Sequence, residues 1–180
     1  GSIICGVNNQ LPGFGVVDSD GNYAGFDVDF CKAVAAAVLG DAAAVEYKYA
    51  SSNDRFTLVK TGEIDVLFRN STWTMTRDAS LGLDFGPTVF YDGQGLMVPK
   101  SLGVTGAKEL TEAAICTLPG TTTAQNISDF FAAIKGKFEL VVFESPDENR
   151  AAFFSGRCEA ITSDRSDLAS IRAVANNPDD

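Results

Sequence analysis

The arginine Arg77 follows a segment rich in hydroxyl and amide groups, residues 70–76. That segment comes directly after an apolar run of strand length. A guanidinium group presents parallel N–H donors that match the two oxygens of a carboxylate, and hydroxyl groups and free backbone amides add further donors. The combination predicts a carboxylate-binding site in which Thr72 supplies the hydroxyl group. The alternative, on the residues alone, is an ion pair of Arg77 with Asp78 or Asp84.

Two further segments could complete such a site. Residues 120–123 form a Gly-Thr-Thr-Thr turn that opens a predicted helix, and the free N–H groups at a helix start bind anions. The alternative is that a threonine here serves only as an ordinary helix cap. Asp164 follows a predicted strand and could accept an ammonium group, or it could cap the next helix. Taken together, the three sites match the carboxylate and ammonium groups of a zwitterion.

The elements that must position these residues follow an α/β pattern. Apolar runs of strand length alternate with helical stretches, which is typical of a mainly parallel sheet flanked by helices. An extended stretch at residues 83–99 interrupts this order and ends in a strand at 95–98. The predicted strands are residues 3–7, 45–49, 64–68, 114–118, 139–143 and 159–162, and the main predicted helices are residues 27–39, 54–60, 122–135, 147–155 and 167–174.

The pattern repeats, which indicates two lobes. Residues 62–67 align with residues 156–161, and each segment contains a helix-stopping glycine, an acidic residue and a buried strand. We therefore expect a first lobe at residues 1–97 and a second lobe at residues 98–180. Equivalent loops at the carboxyl ends of parallel strands are where open α/β sheets bind ligands, so the ligand is expected in a cleft between the lobes.

Composition excludes several functions. The chain has 180 residues, a formal net charge of −10 and no basic stripe of the kind that nucleic acid or an anionic membrane surface requires. No apolar run approaches the roughly 20 residues of a membrane helix, so no stable membrane insertion is expected. The absence of histidine removes the commonest general base and metal ligand. We expect no metal, no cofactor and no catalysis.

The cysteines are Cys5, Cys31, Cys116 and Cys158, one pair in each half of the chain, and their spacing fits no metal site. We expect disulfides between Cys5 and Cys31 and between Cys116 and Cys158, formed in an oxidising compartment. The alternative is four buried free thiols.

Several motifs, in this order, resemble one known family. They are residues 25–30 (GFDVDF), 62–67 (GEIDVL), 69–74 (RNSTWT), 91–95 (YDGQG), 120–123 (GTTT) and 156–159 (GRCE). Together they are similar to the periplasmic amino-acid-binding proteins of polar-amino-acid ABC transporters, and most of all to the branch that binds L-amino acids broadly.

This resemblance implies a type II periplasmic-binding-protein fold, an α/β fold whose two lobes close on a free L-amino acid and deliver it to an ABC transporter permease from the periplasm. It implies that Arg77, Thr72 and Thr122 hold the α-carboxylate. It also implies that Asn70 adds contacts from the first lobe and that Asp164 accepts the α-ammonium group.

The chain departs from the family where the ligand side chain is expected. Ser52 stands where many relatives carry an aromatic residue, and Asn8 and Leu11 stand where binders of basic amino acids carry Asp and Tyr. These changes argue against strict specificity for lysine or arginine. Arg69 could favour acidic or amide side chains, or it could be a surface arginine.

Family members also continue past the second lobe and return to complete the first, whereas this chain ends at residues 177–180. We expect a truncated form with an incomplete first lobe, and a Gly1–Ser2 cloning remnant in place of the native start. An uncovered sheet edge associates readily, so a homodimer formed by exchange of elements is expected.

Two other functions compete with amino-acid capture. A truncated family member could serve as an oligomeric interaction protein with weak or no ligand binding. A dehydratase-like enzyme on the same fold is the second alternative, and without histidine its acid or base would be Glu144 or Asp164.

Overall fold

In the computed structural model, which describes residues 1–179, the chain forms two compact units, residues 1–90 and 91–180. This division precedes the lobe boundary expected after residue 97. The reason is the strand Gln94–Met97, which pairs with a strand of the second unit through Asp164↔Gln94 and Ile161↔Met97.

The first unit is built on a three-stranded parallel sheet in which Ile3–Val7 is the central strand, between Val45–Tyr49 and Val66–Leu67. Its elements are β1 (Ile3–Val7), β2 (Gln10–Leu11), β3 (Gly15–Val17), β4 (Tyr23–Ala24), α1 (Phe26–Leu39), β5 (Val45–Tyr49), α2 (Arg55–Lys60) and β6 (Val66–Leu67). The short antiparallel sheet β2–β3–β4 was not predicted, because runs of two or three residues carry no measurable alternation.

Alternate residues of β1 serve two separate cores. Cys5 and Val7 pack with Val28 and Cys31 of α1, whereas Ile4 packs on the cluster that contains Leu58 and Ile64. Successive side chains of a strand point to opposite faces of the sheet, so the two core clusters lie on opposite faces of β1.

The start of α1 depends on Gly25. This residue has φ 128° and lies so close to the backbone of Phe14 that an added Cβ would be 2.3 Å from the Phe14 carbonyl oxygen. Any larger residue would displace the turn that leads into α1. The helix ends at Gly40 in the left-handed conformation, which is typical of a helix C-terminus.

The second unit contains a four-stranded sheet whose strands lie in the order Gln94–Met97, Ala160–Asp164, Ala114–Thr117 and Glu139–Val142, and the first of these runs antiparallel to its neighbour. Its elements are β7 (Gln94–Met97), β8 (Ala114–Thr117), α3 (Thr122–Ala133), β9 (Glu139–Val142), α4 (Pro146–Phe154), β10 (Ala160–Asp164) and α5 (Arg165–Ala173). Paired residues again divide between two core clusters: Ile115 and Ala160 belong to one, and Cys116 and Ile161 to the other.

Both predicted disulfides are confirmed. Cys5 of β1 is bonded to Cys31 of α1, and Cys116 of β8 is bonded to Cys158, just before β10. All four residues are buried in the cores. Each bond therefore joins a central strand to an adjoining segment of the same unit.

One carboxyl group lies inside the first unit. Asp27, in the first turn of α1, is only 5% exposed, and its neighbours on the buried face of that helix are Val28 and Cys31. Burial raises the pKa of Asp27 from its ordinary 3.8 to about 6, although the positive charge of Arg69 acts in the opposite direction.

Within residues 1–179, no helix has the length and apolar character needed to cross a membrane. The same part of the chain contains no group of His, Cys, Asp and Glu side chains arranged to hold a metal ion.

Removing either disulfide should destabilise its unit. The bonds close sequence separations of 26 and 42 residues, and on the chain-entropy estimate each contributes roughly 3 to 4 kcal/mol to the free energy of unfolding. We expect Cys5→Ala/Cys31→Ala and Cys116→Ala/Cys158→Ala to lower the urea midpoint. The midpoints are measured by circular dichroism, and wild-type protein in reductant should show the destabilisation of both units. An unchanged urea midpoint in either double variant would contradict the prediction.

Asp27 should make stability depend on pH. Its folded pKa is raised, so the folded state holds this proton more tightly than the unfolded state, and the associated stability is present below about pH 4 and lost as the pH rises through about 6. For a shift of this size the loss is about 3 kcal/mol. As the pH rises through this range, the difference in free energy of unfolding between the wild type and Asp27→Asn should fall by up to this amount. Asp29→Asn, on the exposed side of the same helical turn, is the matched control.

Candidate functional site

The candidate residues of the first unit follow parallel strands that end at one edge of the sheet. Val7 pairs in register with Tyr49, and Gly6 with Leu67, so β1, β5 and β6 end side by side. The residues that follow these ends include the buried Asn8 and Ser52 and the half-buried Arg69. Ligands of α/β proteins bind at this edge of a parallel sheet.

Arg69 spans the end of the central strand. Its Nη1 donates to the carbonyl oxygen of Ala50 at 2.5 Å, and its Nη2 donates to Asn70 Oδ1 at 3.2 Å. Ala50 follows β5 and Arg69 follows β6, with β1 between these two strands. The guanidinium group thus lies across the carboxyl end of β1, and Arg69 is not a simple surface residue.

Arg77 is buried, with 8% of its surface exposed, in a short π-helical turn at Thr76–Ser80. Its Nη1 donates to the carbonyl oxygen of Thr72 at 2.8 Å, and its guanidinium carbon lies 4.9 Å from the centre of the Phe56 ring. Asp78, which the sequence offered as an ion-pair partner, accepts a hydrogen bond from the indole of Trp73 at 2.9 Å. The loop that carries Thr72 therefore fixes Arg77 through its backbone, while the Thr72 residue itself is exposed.

A further arginine, Arg55, was missed by the sequence analysis. It is 2% exposed, its Nη1 donates to the Ser52 carbonyl oxygen at 2.7 Å, and its guanidinium carbon lies 4.6 Å from the centre of the Phe56 ring. Phe56 thus contacts two guanidinium groups, those of Arg55 and Arg77. The available signal was a cation in the first turn of α2, where the helix dipole disfavours positive charge.

In the second unit, Thr121 forms the helix cap and leaves Thr122 as the first residue of α3. Thr121 Oγ1 accepts from the Ala124 amide at 3.2 Å and donates to the Leu118 carbonyl oxygen at 2.8 Å. Gly120 precedes it with φ 65°, a conformation that favours glycine. The capping role is therefore performed by Thr121, and Thr122 stands half-buried at the helix start.

Asp164 ends β10 and immediately precedes α5, to whose amides its side chain makes no capping hydrogen bond. Since β10 lies parallel to β8, the ends of these strands place Asp164 and the Thr122 turn at the same edge of the second sheet.

Gln94 was also missed. It lies opposite Asp164, and its Nε2 donates to Thr162 Oγ1 at 2.8 Å and to the Thr123 carbonyl oxygen at 3.0 Å. Gln94 therefore links the end of β10 to the first turn of α3. The motif at residues 91–95 includes Gln94, but the residues alone did not assign the glutamine this role.

The structure thus brings the predicted residues together in two groups, each within one unit. Ser52, Arg69, Asn70, Thr72 and Arg77 belong to the first unit, and Thr122 and Asp164 belong to the second.

Comparisons with curated proteins point to one family. The chain is 51% identical over 180 residues to the general L-amino acid-binding periplasmic protein AapJ of Rhizobium johnstonii, covering 100% of this chain and 53% of that protein. It is also 51% identical to the glutamate/glutamine/aspartate/asparagine-binding protein BztA of Rhodobacter capsulatus, with the same coverage. The putative amino-acid ABC transporter-binding protein YhdW of Escherichia coli K12 is 43% identical over 178 residues, which are 99% of this chain and 52% of YhdW. The chain spans about half the length of these relatives, which are named as binding proteins and not as enzymes.

Comparison with solved structures also finds periplasmic solute-binding proteins. A periplasmic binding protein from Brucella ovis, solved with glutathione bound, matches with a TM-score of 0.93 and 46% identity, covering 99% of this chain and 56% of that one. The solute receptor for L-cysteine of Neisseria gonorrhoeae matches with a TM-score of 0.84 and 28% identity, covering 98% and 69% of the two chains. These matches confirm the predicted α/β fold of type II periplasmic binding proteins.

The model of the bacterial extracellular solute-binding proteins, family 3, matches residues 3–172. Because this match covers nearly the whole chain, the chain belongs to that family of solute-binding proteins.

Proposed function

We propose that the chain captures a free L-amino acid in the periplasm for import by an ABC transporter. The observation that carries this proposal is the buried guanidinium of Arg77, which is fixed by the Thr72 carbonyl oxygen and the Phe56 ring. A guanidinium held in place loses little conformational entropy when it binds a carboxylate. The exposed Thr72 residue adds a hydroxyl donor next to it, as the α-carboxylate requires.

Residues of the second unit complete the proposed recognition of the zwitterion. Thr122 stands at the start of the 12-residue helix α3, where backbone N–H groups and the helix dipole favour an anion. Asp164 is not used as a cap for α5, and its carboxylate suits the α-ammonium group. Gln94 supports both by joining the strand and helix that carry them.

The side chain of the amino acid would be recognised by the first unit, through Ser52, Arg69 and Asn70. Ser52 is smaller than the aromatic residue that many relatives carry at this position, and the hydrogen bond from Arg55 to its carbonyl oxygen holds the backbone there. Arg69 contributes a positive charge at this edge. BztA, at 51% identity, is named for binding glutamate, glutamine, aspartate and asparagine, and this supports an acidic or amide side chain.

The proposed partners are the permease of the transporter and a second copy of this chain. The name of YhdW refers to an amino-acid ABC transporter, which supports the permease. For the homodimer, β5 and β6 are the outer strands of the first parallel sheet and β7 and β9 those of the second, within the described residues, and such edges can pair between copies. The homodimer stays a prediction.

Replacing Arg77 should abolish tight binding. Arg77→Ala would leave the ligand carboxylate buried without its main partner, at a cost of about 2 to 5 kcal/mol of binding free energy. Arg77→Lys keeps the positive charge but lacks the paired N–H donors of a guanidinium group, so we expect an intermediate loss of binding free energy. Isothermal titration calorimetry against a panel of L-amino acids measures both.

Arg157→Ala is the matched control, because Arg157 also lies over a phenylalanine ring, Phe143 at 5.0 Å, but in the second unit and on the surface. Unchanged affinity in a folded Arg77→Ala variant would remove Arg77 from the site. Absence of binding to any amino acid in the wild-type chain would favour the oligomeric interaction function.

Replacing Arg69 should alter specificity more than overall affinity. Arg69→Gln removes the positive charge, and we expect the affinity for L-glutamate to fall about tenfold relative to that for L-alanine, which corresponds to about 1.4 kcal/mol. The measurement is the ratio of the two dissociation constants. Arg150→Gln, which removes a cation of the second unit, is the control. Equal losses for both ligands would show that Arg69 only supports the structure of the loop.

A further inference from the structure

Asp27 lies at the same edge of the first sheet as Arg69. The C-terminal end of α1 leads to Ala44, whose carbonyl oxygen accepts from the Ile3 amide at the start of β1. Because α1 returns the chain to that starting edge, its first turn lies at the opposite edge, where the strands end. The disulfide between Cys31 and Cys5 fixes this orientation one helical turn after Asp27.

The surroundings of Asp27 oppose a negative charge. The residue is 5% exposed, and its Oδ2 atom is buried without a hydrogen-bond partner in the described part of the chain. A buried carboxylate oxygen that lacks a hydrogen bond is costly to ionise. The raised pKa of Asp27, about 6, has this burial as its largest cause.

The positive charge that acts on Asp27 is that of Arg69. Arg69 donates to the Ala50 carbonyl oxygen and to the Asn70 amide oxygen, which are neutral acceptors. Two further arginines of this unit are Arg55 on α2, which follows the N-cap Asp54, and Arg77 in the turn at Thr76–Ser80, which also contains Asp78. Asp29, on α1, forms an ion pair with Lys32 at 3.2 Å.

We propose that Asp27 is a positioning residue that sets the charge presented by Arg69, so that binding of an amino acid with an anionic side chain is coupled to proton uptake at Asp27. This inference rests on the proposed function. When Asp27 is ionised it attenuates the field of Arg69 toward the ligand, and when it is protonated the full positive charge of Arg69 faces the ligand. A ligand carboxylate at Arg69 adds a second negative charge near Asp27 and favours its protonated form.

The coupling has a definite sign. If an anionic side chain raises the proton affinity of Asp27, then by linkage a lower pH raises the affinity for that ligand. A ligand with a neutral amide side chain does not add the negative charge and shows no such coupling. The contrast between L-glutamate and L-glutamine therefore isolates Asp27 from general effects of pH on the site.

The experiment is calorimetric titration of the chain with L-glutamate and with L-glutamine between about pH 8 and about pH 6, above the range in which free glutamate gains a side-chain proton. We expect the dissociation constant for glutamate to decrease several-fold, with about tenfold as the limit for a rise of one unit in the pKa of Asp27 on binding. The constant for glutamine should stay nearly unchanged. Titrations in phosphate and in Tris should give different enthalpies for glutamate only, since proton uptake draws on the buffer.

Three variants sharpen the test. Asp27→Asn should bind glutamate more tightly than wild type near pH 8 and lose the pH dependence, whereas Asp29→Asn should retain it. Arg69→Gln should remove the difference between the two ligands. If Asp27→Asn does not fold, the buffer-dependent enthalpy of the wild type still decides.

The outcomes separate the two proposals. Glutamate binding that does not change with pH and takes up no proton would overturn the role of Asp27 and leave amino-acid capture intact. If the wild-type chain binds no amino acid at any pH, both proposals are overturned. If glutamate and glutamine show the same pH dependence, the titrating group is not the Asp27–Arg69 pair, and this inference is overturned.

Discussion

The parallel pairing of strands determines where the candidate residues of each unit can lie. In the first unit β5 and β6 both run parallel to β1, so the residues that follow all three strands meet at one edge. In the second unit β10 and β8 are parallel, and the same constraint brings Asp164 to the edge where α3 begins. Parallel strands need a crossover between them, and the crossovers here include the helices whose first turns carry Asp27 and Thr122. One topological feature thus assembles both strand-end loops and helix starts.

The arrangement of residues at the strand ends buries several charged side chains, and their desolvation is unfavourable. Arg55, Arg77 and Asp27 are each less than a tenth exposed, and desolvation opposes the charged form of every such group. Two of them are compensated visibly: the guanidinium groups of Arg55 and Arg77 donate to backbone carbonyl oxygens and contact the ring of Phe56. Asp27 keeps one oxygen without a hydrogen bond. Groups held in this way contribute less to stability than an apolar core would.

Sequence patterns predicted the elements with strong periodicity and missed those that depend on tertiary contacts. Strand β5 was predicted at the observed residues, and α1 within one residue at its start, because apolar spacing and a terminal glycine mark them. The strand predicted at residues 64–68 is shorter in the structure, at Val66–Leu67, because only Cys5 and Gly6 of β1 pair with it. The π-helical turn around Arg77 and the links made by Gln94 could not be predicted, since they depend on residues far apart in sequence. Arg55 was missed for a different reason: its contacts with Phe56 and the Ser52 carbonyl oxygen are local, and the sequence marks it only as a cation in a first helical turn.

Each disulfide joins a central strand of one sheet to an adjoining segment, and such a bond helps a small unit to hold polar groups in fixed positions. Cys5–Cys31 joins β1 to α1 one turn after Asp27, and Cys116–Cys158 joins β8 to the segment that leads into β10. The first bond fixes the early part of α1 relative to β1, and the second fixes the segment that enters β10 relative to β8. A site that binds a zwitterion needs donors and acceptors held at matching distances, and loops alone hold them poorly. The short loops at residues 69–77 and 118–121 also have side-chain and backbone contacts of their own, among them the hydrogen bonds of Arg69, Arg77 and Thr121.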